Sequence, residues 1–297
     1  SAWLIAPAQK VLGLDWVIPD LARAVRVSKA PPVFLEGRVR NLLPLDWWKD
    51  PALIQKRIGT LRELVGALSG HPALRGWVVM DRALDWFRPK PRAADLVLKS
   101  VLGEIRERDD AGRIILGLGW REILSPETVR ILASQVDGIR VGGFESPPPL
   151  PGIPANPAGE LLAAAFVGAL ARWIFSSPPE VEVGWGAPEE EGDLEDYLEA
   201  AVRLREAGLG GVCWFNCIDP YPGTRGEPPW SLRPGMDRAG LLDPGSEPRL
   251  WVRPCLREIL SSGTRDGADD FIDLDREEYL EDPGTHFERL WEHYRER

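Results

Sequence analysis

The chain has 297 residues, 44% of them hydrophobic, and a formal net charge of -10. It is long enough to bury one large core and too acidic for a partner gripped by its phosphate backbone, which excludes nucleic acid. The longest apolar run, Leu161 to Phe175, is interrupted by Arg172 and falls short of the roughly 20 residues of a bilayer span, so no membrane segment is expected.

In chain order, Ala2 to Ala6 reads as a short apolar strand ended by Pro7, Asp20 to Ala30 has helical spacing, and Pro32 to Glu36 reads as a second strand. Asp50 and Pro51 form a helix start signal, and Leu53, Ile54, Ile58, Leu61, Leu64, Val65 and Leu68 keep the 3.6 period up to a stop at Gly70. A strand over Leu74 to Asp81 precedes a helix over Pro91 to Arg108. Arg113 to Gly117 is the next strand, leading to Trp120, and Ser125 with Pro126 opens another helix. Asp137 to Val141 is a strand, followed by a Pro-rich loop over Ser146 to Pro157 and an apolar helix over Gly159 to Phe175.

The stretch Glu180 to Pro188 is the most informative, because it reads as a buried strand ended by glycines in which Val181 and Val183 flank Glu182 close to the C-terminal end, where an ionised group needs partners. Glu180 is expected at the strand's start, in water. Glu182 reads either as an ion-paired structural glutamate or as a catalytic nucleophile or base. A helix over Asp193 to Ala207 and a last strand over Gly211 to Phe215 follow. Beyond them come a long loop, a helix around Leu250 to Leu260, and an acidic tail from Thr264 with one amphipathic segment through Leu280, Phe287, Leu290 and Trp291.

Strand and helix alternate about seven times without a break in composition, which predicts an α/β fold with a parallel sheet, most economically a (β/α)8 TIM barrel over residues 1–263 with the tail, 264–297, packed on it. No Gly-x-Gly-x-x-Gly or Walker-type loop is present, and with three histidines a histidine-rich metal centre is not expected; no cofactor is called for. Of three cysteines, Cys213 and Cys217 share one predicted strand about 13 Å apart, too far for a disulfide.

Thirteen tryptophans are the unusual feature of the composition. Trp120, Trp185 and Trp214 each fall at or just after a strand's C-terminal end, so a barrel would bring them to one rim, where indole faces suit sugar rings. Asp81, Glu36, Glu145 and Asp219 lie at other strand ends and could complete an acidic cleft around them.

His71, Pro72, Ala73, Leu74, Arg75, Gly76 and Trp77 resemble the helix-to-strand passage of clan A glycoside hydrolases, the cellulase-like barrels, which leads there into an Asn-Glu pair holding the general acid. Asp137, Gly138 and Ile139 resemble the opening of that family's sixth strand. Glu182 with Gly184 is similar to the nucleophile segment of strand seven, and Trp214 to the substrate-stacking tryptophan of strand eight. Gly240 to Gly245 with Pro248 resembles the segment that leads into the last helix. The resemblance implies a retaining β-glycosidase acting on an oligosaccharide or polysaccharide. Glu182 is then the nucleophile, Asp81 a displaced acid/base, and Trp120, Trp185, Trp214, Arg82 and Glu36 hold substrate.

Two departures qualify that expectation. Asp81 and Arg82 stand where the family has its Asn-Glu pair, and Arg82 cannot donate a proton at neutral pH. The alternative is therefore an inactive, carbohydrate-binding or structural barrel in which Arg82 pairs with Glu182. Ser1 to Pro7 also aligns best with the family's second strand, so either the barrel lacks its first strand or residues before Ser1 belong to a longer protein. In an open barrel the tail would be a candidate cover for the exposed sheet edge. Ser1 to Pro7 lacks the features of a signal peptide, and the compartment and oligomeric state stay open.

Overall fold

The computed structural model describes residues 2–6, 50–70, 74–79, 91–142, 150–154, 156–184, 186–188, 193–214, 219, 238–245, 247–261 and 269–297. The predicted elements at Asp20 to Ala30 and Pro32 to Glu36 lie outside them, as do Glu36, Asp81, Arg82, Glu145, Trp185 and Cys217. The chain forms two compact units, one of residues 1–118 with 128–139, the other of residues 119–127 with 140–297. Residues 264–297 fall within the second unit.

The first unit carries three parallel strands in the order β1 (Ala2–Ala6), β2 (Leu74–Val79) and β3 (Arg113–Gly119). Ile5 is level with Val78, and Val78 with Ile115. Helices α1 (Pro51–Leu68) and α2 (Pro91–Arg108) are joined across their exposed faces by Arg62, whose Nε and Nη2 donate to Glu104 at 3.0 and 2.6 Å. Leu61, Leu64, Val65 and Leu68 of α1 and Leu98 and Ile105 of α2 are buried, as the 3.6 period requires. Trp77 is fully buried, so its indole N–H needs an acceptor, which the Asp109 carboxylate supplies at 2.8 Å.

Asp137 is a structural carboxylate. It accepts from the Ile114 amide at 2.7 Å and from Arg106 at 2.6 Å, while its own amide donates to the Ile114 carbonyl. Partial burial works against its charge, yet the Ile114 amide and Arg106 hold it below the usual aspartate value. A carboxylate shifted in that direction contributes stability above the unfolded value of about 3.9 and loses it as the pH falls further. Asp137→Asn is therefore expected to be less stable than wild type at pH 7, with the gap closing towards pH 2, as read from urea midpoints across pH.

Helices α3 (Trp120–Ile123) and α4 (Pro126–Ala133) follow β3, and the chain passes from the first unit to the second within β4 (Gly138–Gly142). The second unit orders β4, β5 (Glu180–Val183) and β6 (Gly211–Trp214) as parallel neighbours, with Arg140 level with Glu180, and Glu182 with Cys213. Between β4 and β5 runs α5 (Pro157–Phe175), capped by the Asn156 side chain on the Gly159 amide at 2.9 Å, with Pro157 in the first turn. By length and composition α5 could cross a membrane, with a mean hydropathy of 1.5, but 78% of it is buried within the protein. A central core helix is apolar all round for the same reason.

Helix α6 (Asp193–Glu206) packs on α5 and α7 (Val252–Leu260) on α6. The tail forms two helices, α8 (Arg276–Glu281) and α9 (Pro283–Arg295), instead of the single segment expected. Pro283 cannot continue α8, and Asp282 restarts the chain by accepting from the Thr285 amide at 3.3 Å. Phe287, Trp291 and Tyr294 of α9 surround Phe166 of α5, so within its unit the tail covers that helix.

Six parallel strands with intervening helices make this an α/β fold built as part of a (β/α) barrel; six, not the eight of a closed barrel, fall among the described residues.

Candidate active site

Side chains two residues apart on a strand share a face, and cross-strand partners share it too. Two sets follow in the second unit. Arg140, Gly142, Glu180, Glu182 and Cys213 lie on one face. Val141, Val181, Val183, Val212 and Trp214 lie on the other. A Cβ placed on Gly168 of α5 would stand 2.9 Å from Val181 Cγ2, so α5 covers the second set. The polar set faces away from that helix.

Glu182 is 7% exposed and sits one residue from the end of β5. Its side chain lies against Gly142, where a Cβ would come within 3.2 Å of Glu182 Cβ and 3.6 Å of Oε1, so the missing side chain is what makes room for the carboxylate. Among the described residues no hydrogen bond or ion pair engages that carboxylate. Glu180 behaves oppositely. It is buried and not in water as expected, and Arg140 donates to its Oε2 from both Nη2 at 2.6 Å and Nε at 3.2 Å. Cys213 Sγ lies 3.6 Å from the same oxygen.

Burial opposes the Arg140 charge, but Cys213, Glu180 and Glu182 around it offset this and hold it above the usual arginine value. Burial pushes the Cys213 thiol up to about 12, so it is neutral at physiological pH and no nucleophile. Beyond β5, the Gly184 amide donates to Glu160 Oε1 at 3.0 Å, tying the strand's exit to the first turn of α5. Gly184 has φ +95, and a Cβ there would sit 2.3 Å from Trp214 Nε1. Gly184→Ala is therefore expected to cost about 1–3 kcal/mol through backbone strain and collision with the indole, measurable by chemical denaturation.

Trp214 is level with Val183, on the face opposite Glu182; its ring packs 5.3 Å from that of Trp251, and its Nε1 donates to the Ala239 carbonyl at 3.2 Å. Tyr197 extends the cluster, 5.5 Å from Trp251. Trp120 does follow the C-terminal end of β3 but is buried, with the Arg121 guanidinium 5.1 Å from its ring centre. Asp219 does not complete an acidic cleft. It is buried, accepts from the Gly240 amide at 2.7 Å and from Arg249, and braces the turn in which Leu242 bridges Pro248. Glu36, Asp81, Arg82 and Trp185 lie outside the described residues.

Sequence reasoning missed Arg140, Gly142 and Cys213. An arginine between Ile139 and Val141 was the available signal, since a buried cation in an apolar strand demands a carboxylate on a neighbour.

Solved structures to which this chain is similar include glycoside hydrolases. A GH5_18 protein from Streptomyces cattleya in complex with Manb1-4GlcNAc superposes with a TM-score of 0.56 at 16% identity, over 74% of this chain and 57% of that one. The exo-beta-1,4-mannosidase Op5Man5 from Opitutaceae bacterium strain TAV5 gives 0.57 at 19%, over 71% and 40%. A GH5_18 protein from Bifidobacterium longum subsp. longum ATCC 55813, in complex with Manb1-4GlcNAc, gives 0.57 at 15%, over 73% and 55%. The chain thus spans less than two thirds of each. No protein-family model and no curated protein matches the sequence.

Proposed function

We propose, taking as premise that the fold is that of the clan A glycoside hydrolases, that this chain acts on a β-linked saccharide by retaining hydrolysis with Glu182 as nucleophile. The observation that carries this reading is the contrast between two buried glutamates on one strand. Glu180 is committed to Arg140, whereas Glu182, nearer the C-terminal end where barrels place their chemistry, has no partner among the described residues. The three solved relatives above carry mannoside-related names, which makes β-mannosides the first class to try.

In this mechanism a Glu182 oxygen attacks the anomeric carbon as the aglycone departs with a proton from a second carboxyl, for which Asp81 is the candidate. Water then releases the sugar from Glu182, and the two carboxyls must stand about 5–5.5 Å apart. Trp185, directly after Gly184, is the proposed stacking residue. Trp214 and Trp120 shape the rim, and Arg82 and Glu36 would hold sugar hydroxyls.

A second reading is favoured by Arg82 itself, which occupies the family's general-acid position. In it the chain binds a saccharide without cleaving it. Dinitrophenyl 2-deoxy-2-fluoro-β-mannoside and the β-glucoside analogue separate the two readings, because dinitrophenolate leaves without protonation and a weak acid/base does not matter. A burst of dinitrophenolate with a matching mass increment on the Glu182 peptide is the expected result. Neither burst nor label on either sugar, with oligosaccharide binding retained, overturns hydrolysis in favour of the second reading; no binding of any oligosaccharide sinks both.

A further inference from the structure

The polar face of β4 and β5 holds one cation and two carboxylates, with net charge -1 if all three are ionised. Glu180 and Glu182 lie two residues apart on one strand, about 7 Å along it. Arg140, 5% exposed, stands level with Glu180 on the adjacent strand, and next above it on β4 is Gly142, whose missing side chain leaves open the way from Arg140 towards Glu182. Among the described residues the groups facing Glu182 are Arg140 and Gly142 from β4, Glu180 from its own strand and the neutral Cys213 from β6. A buried guanidinium must keep an anionic partner, and this face offers two. Both nitrogens placed by the geometry choose Glu180.

We propose that Glu180 is a positioning residue: by engaging Arg140 it keeps that guanidinium off Glu182 and leaves the Glu182 carboxylate free to meet a sugar. The inference rests on Glu182 being the nucleophile. A glutamate clamped by arginine has its lone pairs committed to N–H donors and must break those bonds before it can attack an anomeric carbon. Glu180 thus spends the arginine one layer below the chemistry.

The test is Glu180→Gln, which keeps size and an acceptor oxygen but removes the charge that outbids Glu182. Its crystal structure is expected to show the Arg140 guanidinium within hydrogen-bond distance of Glu182. With a dinitrophenyl β-glycoside, kcat should fall about 10–100-fold while KM changes less than about threefold. Adding Arg140→Met to Glu180→Gln leaves that layer with no charge to bury, and should restore at least about tenfold in kcat. A purely structural role for the pair predicts the reverse, a double variant no faster than the single one. Either that result, or Arg140 remaining on residue 180 in the crystal structure, overturns the proposal. If wild type turns over no glycoside, the hydrolase reading fails and this one with it, whereas turnover by wild type with Arg140 still on residue 180 in the Glu180→Gln crystal overturns this proposal alone.

Discussion

Glu182→Gln is expected to lower kcat on an activated aryl β-glycoside by a factor on the order of 10⁴ or more, because the amide is a poor nucleophile and, among the described residues, no other carboxylate on that face is available to replace it. Glu180 is occupied by Arg140, and Cys213, the other candidate on the face, is a neutral thiol. The substitution is nearly isosteric, so Gly142 still accommodates the side chain. Stability should be unchanged or higher, since the variant no longer buries a carboxylate that lacks a partner among the described residues. The decisive comparison is kcat against Tm. Activity lost with Tm held assigns Glu182 to chemistry; activity and Tm falling together would make it a structural glutamate. Glu182→Ala supplied with azide should regain turnover with inverted stereochemistry, since the small anion fills the space left and attacks the anomeric carbon from the same side.

What the sequence made legible was local. The 3.6 period through Leu61, Leu64, Val65 and Leu68 and the Val-Glu-Val pattern around Glu182 each lie within one element, and each appears in the structure where periodicity put it. The alternation of strand and helix likewise carried the parallel sheet. What stayed hidden was pairing between distant segments. Arg140 and Glu180 are 40 positions apart, and only strand register makes them neighbours. Asp219 and Arg249 form a comparable brace across 30 positions.

Trp214 shows the same limit in another form. Its place at the end of β6 was predictable, but its face follows from its being level with Val183, and a shift of one residue in that register would have turned its indole to the side of Glu182. The split of the tail was readable, by contrast. Asp282 followed by Pro283 is the same cap-and-proline signal that marks Asp50 and Pro51.

Phe166→Ala is expected to have the largest effect on stability, about 3–5 kcal/mol, which for a chain of this size lowers Tm by roughly 10 °C. Phe166 is fully buried on α5 and stands at the centre of an aromatic cluster. Phe271, Phe287, Trp291 and Tyr294 surround it with ring centres 5.1–5.7 Å apart along its contacts and that of Phe271 with Tyr294. Four of these five rings come from residues 269–297, so removing the fifth empties the seat of Phe271 and α9, while Tyr279 of α8 keeps its edge contact with Trp173. The polar ties that remain among the described residues include the Trp291 indole and Arg295 Nη1 on the Pro151 carbonyl at 2.8 and 2.9 Å, the Tyr279 hydroxyl on the Ile123 carbonyl at 3.1 Å, and Arg172 on the Asp269 carboxylate at 2.5 Å. Each net contributes only about 1 kcal/mol, too little to hold two short helices against their own ordering entropy. The tail should therefore be clipped by protease well before the rest of the chain in Phe166→Ala, and not in wild type. Tyr294→Phe, which keeps the ring and loses only a hydroxyl, should stay within about 1 kcal/mol of wild type. A Phe166→Ala chain with unchanged tail protection would mean that the tail is held by those polar ties and not by the rings.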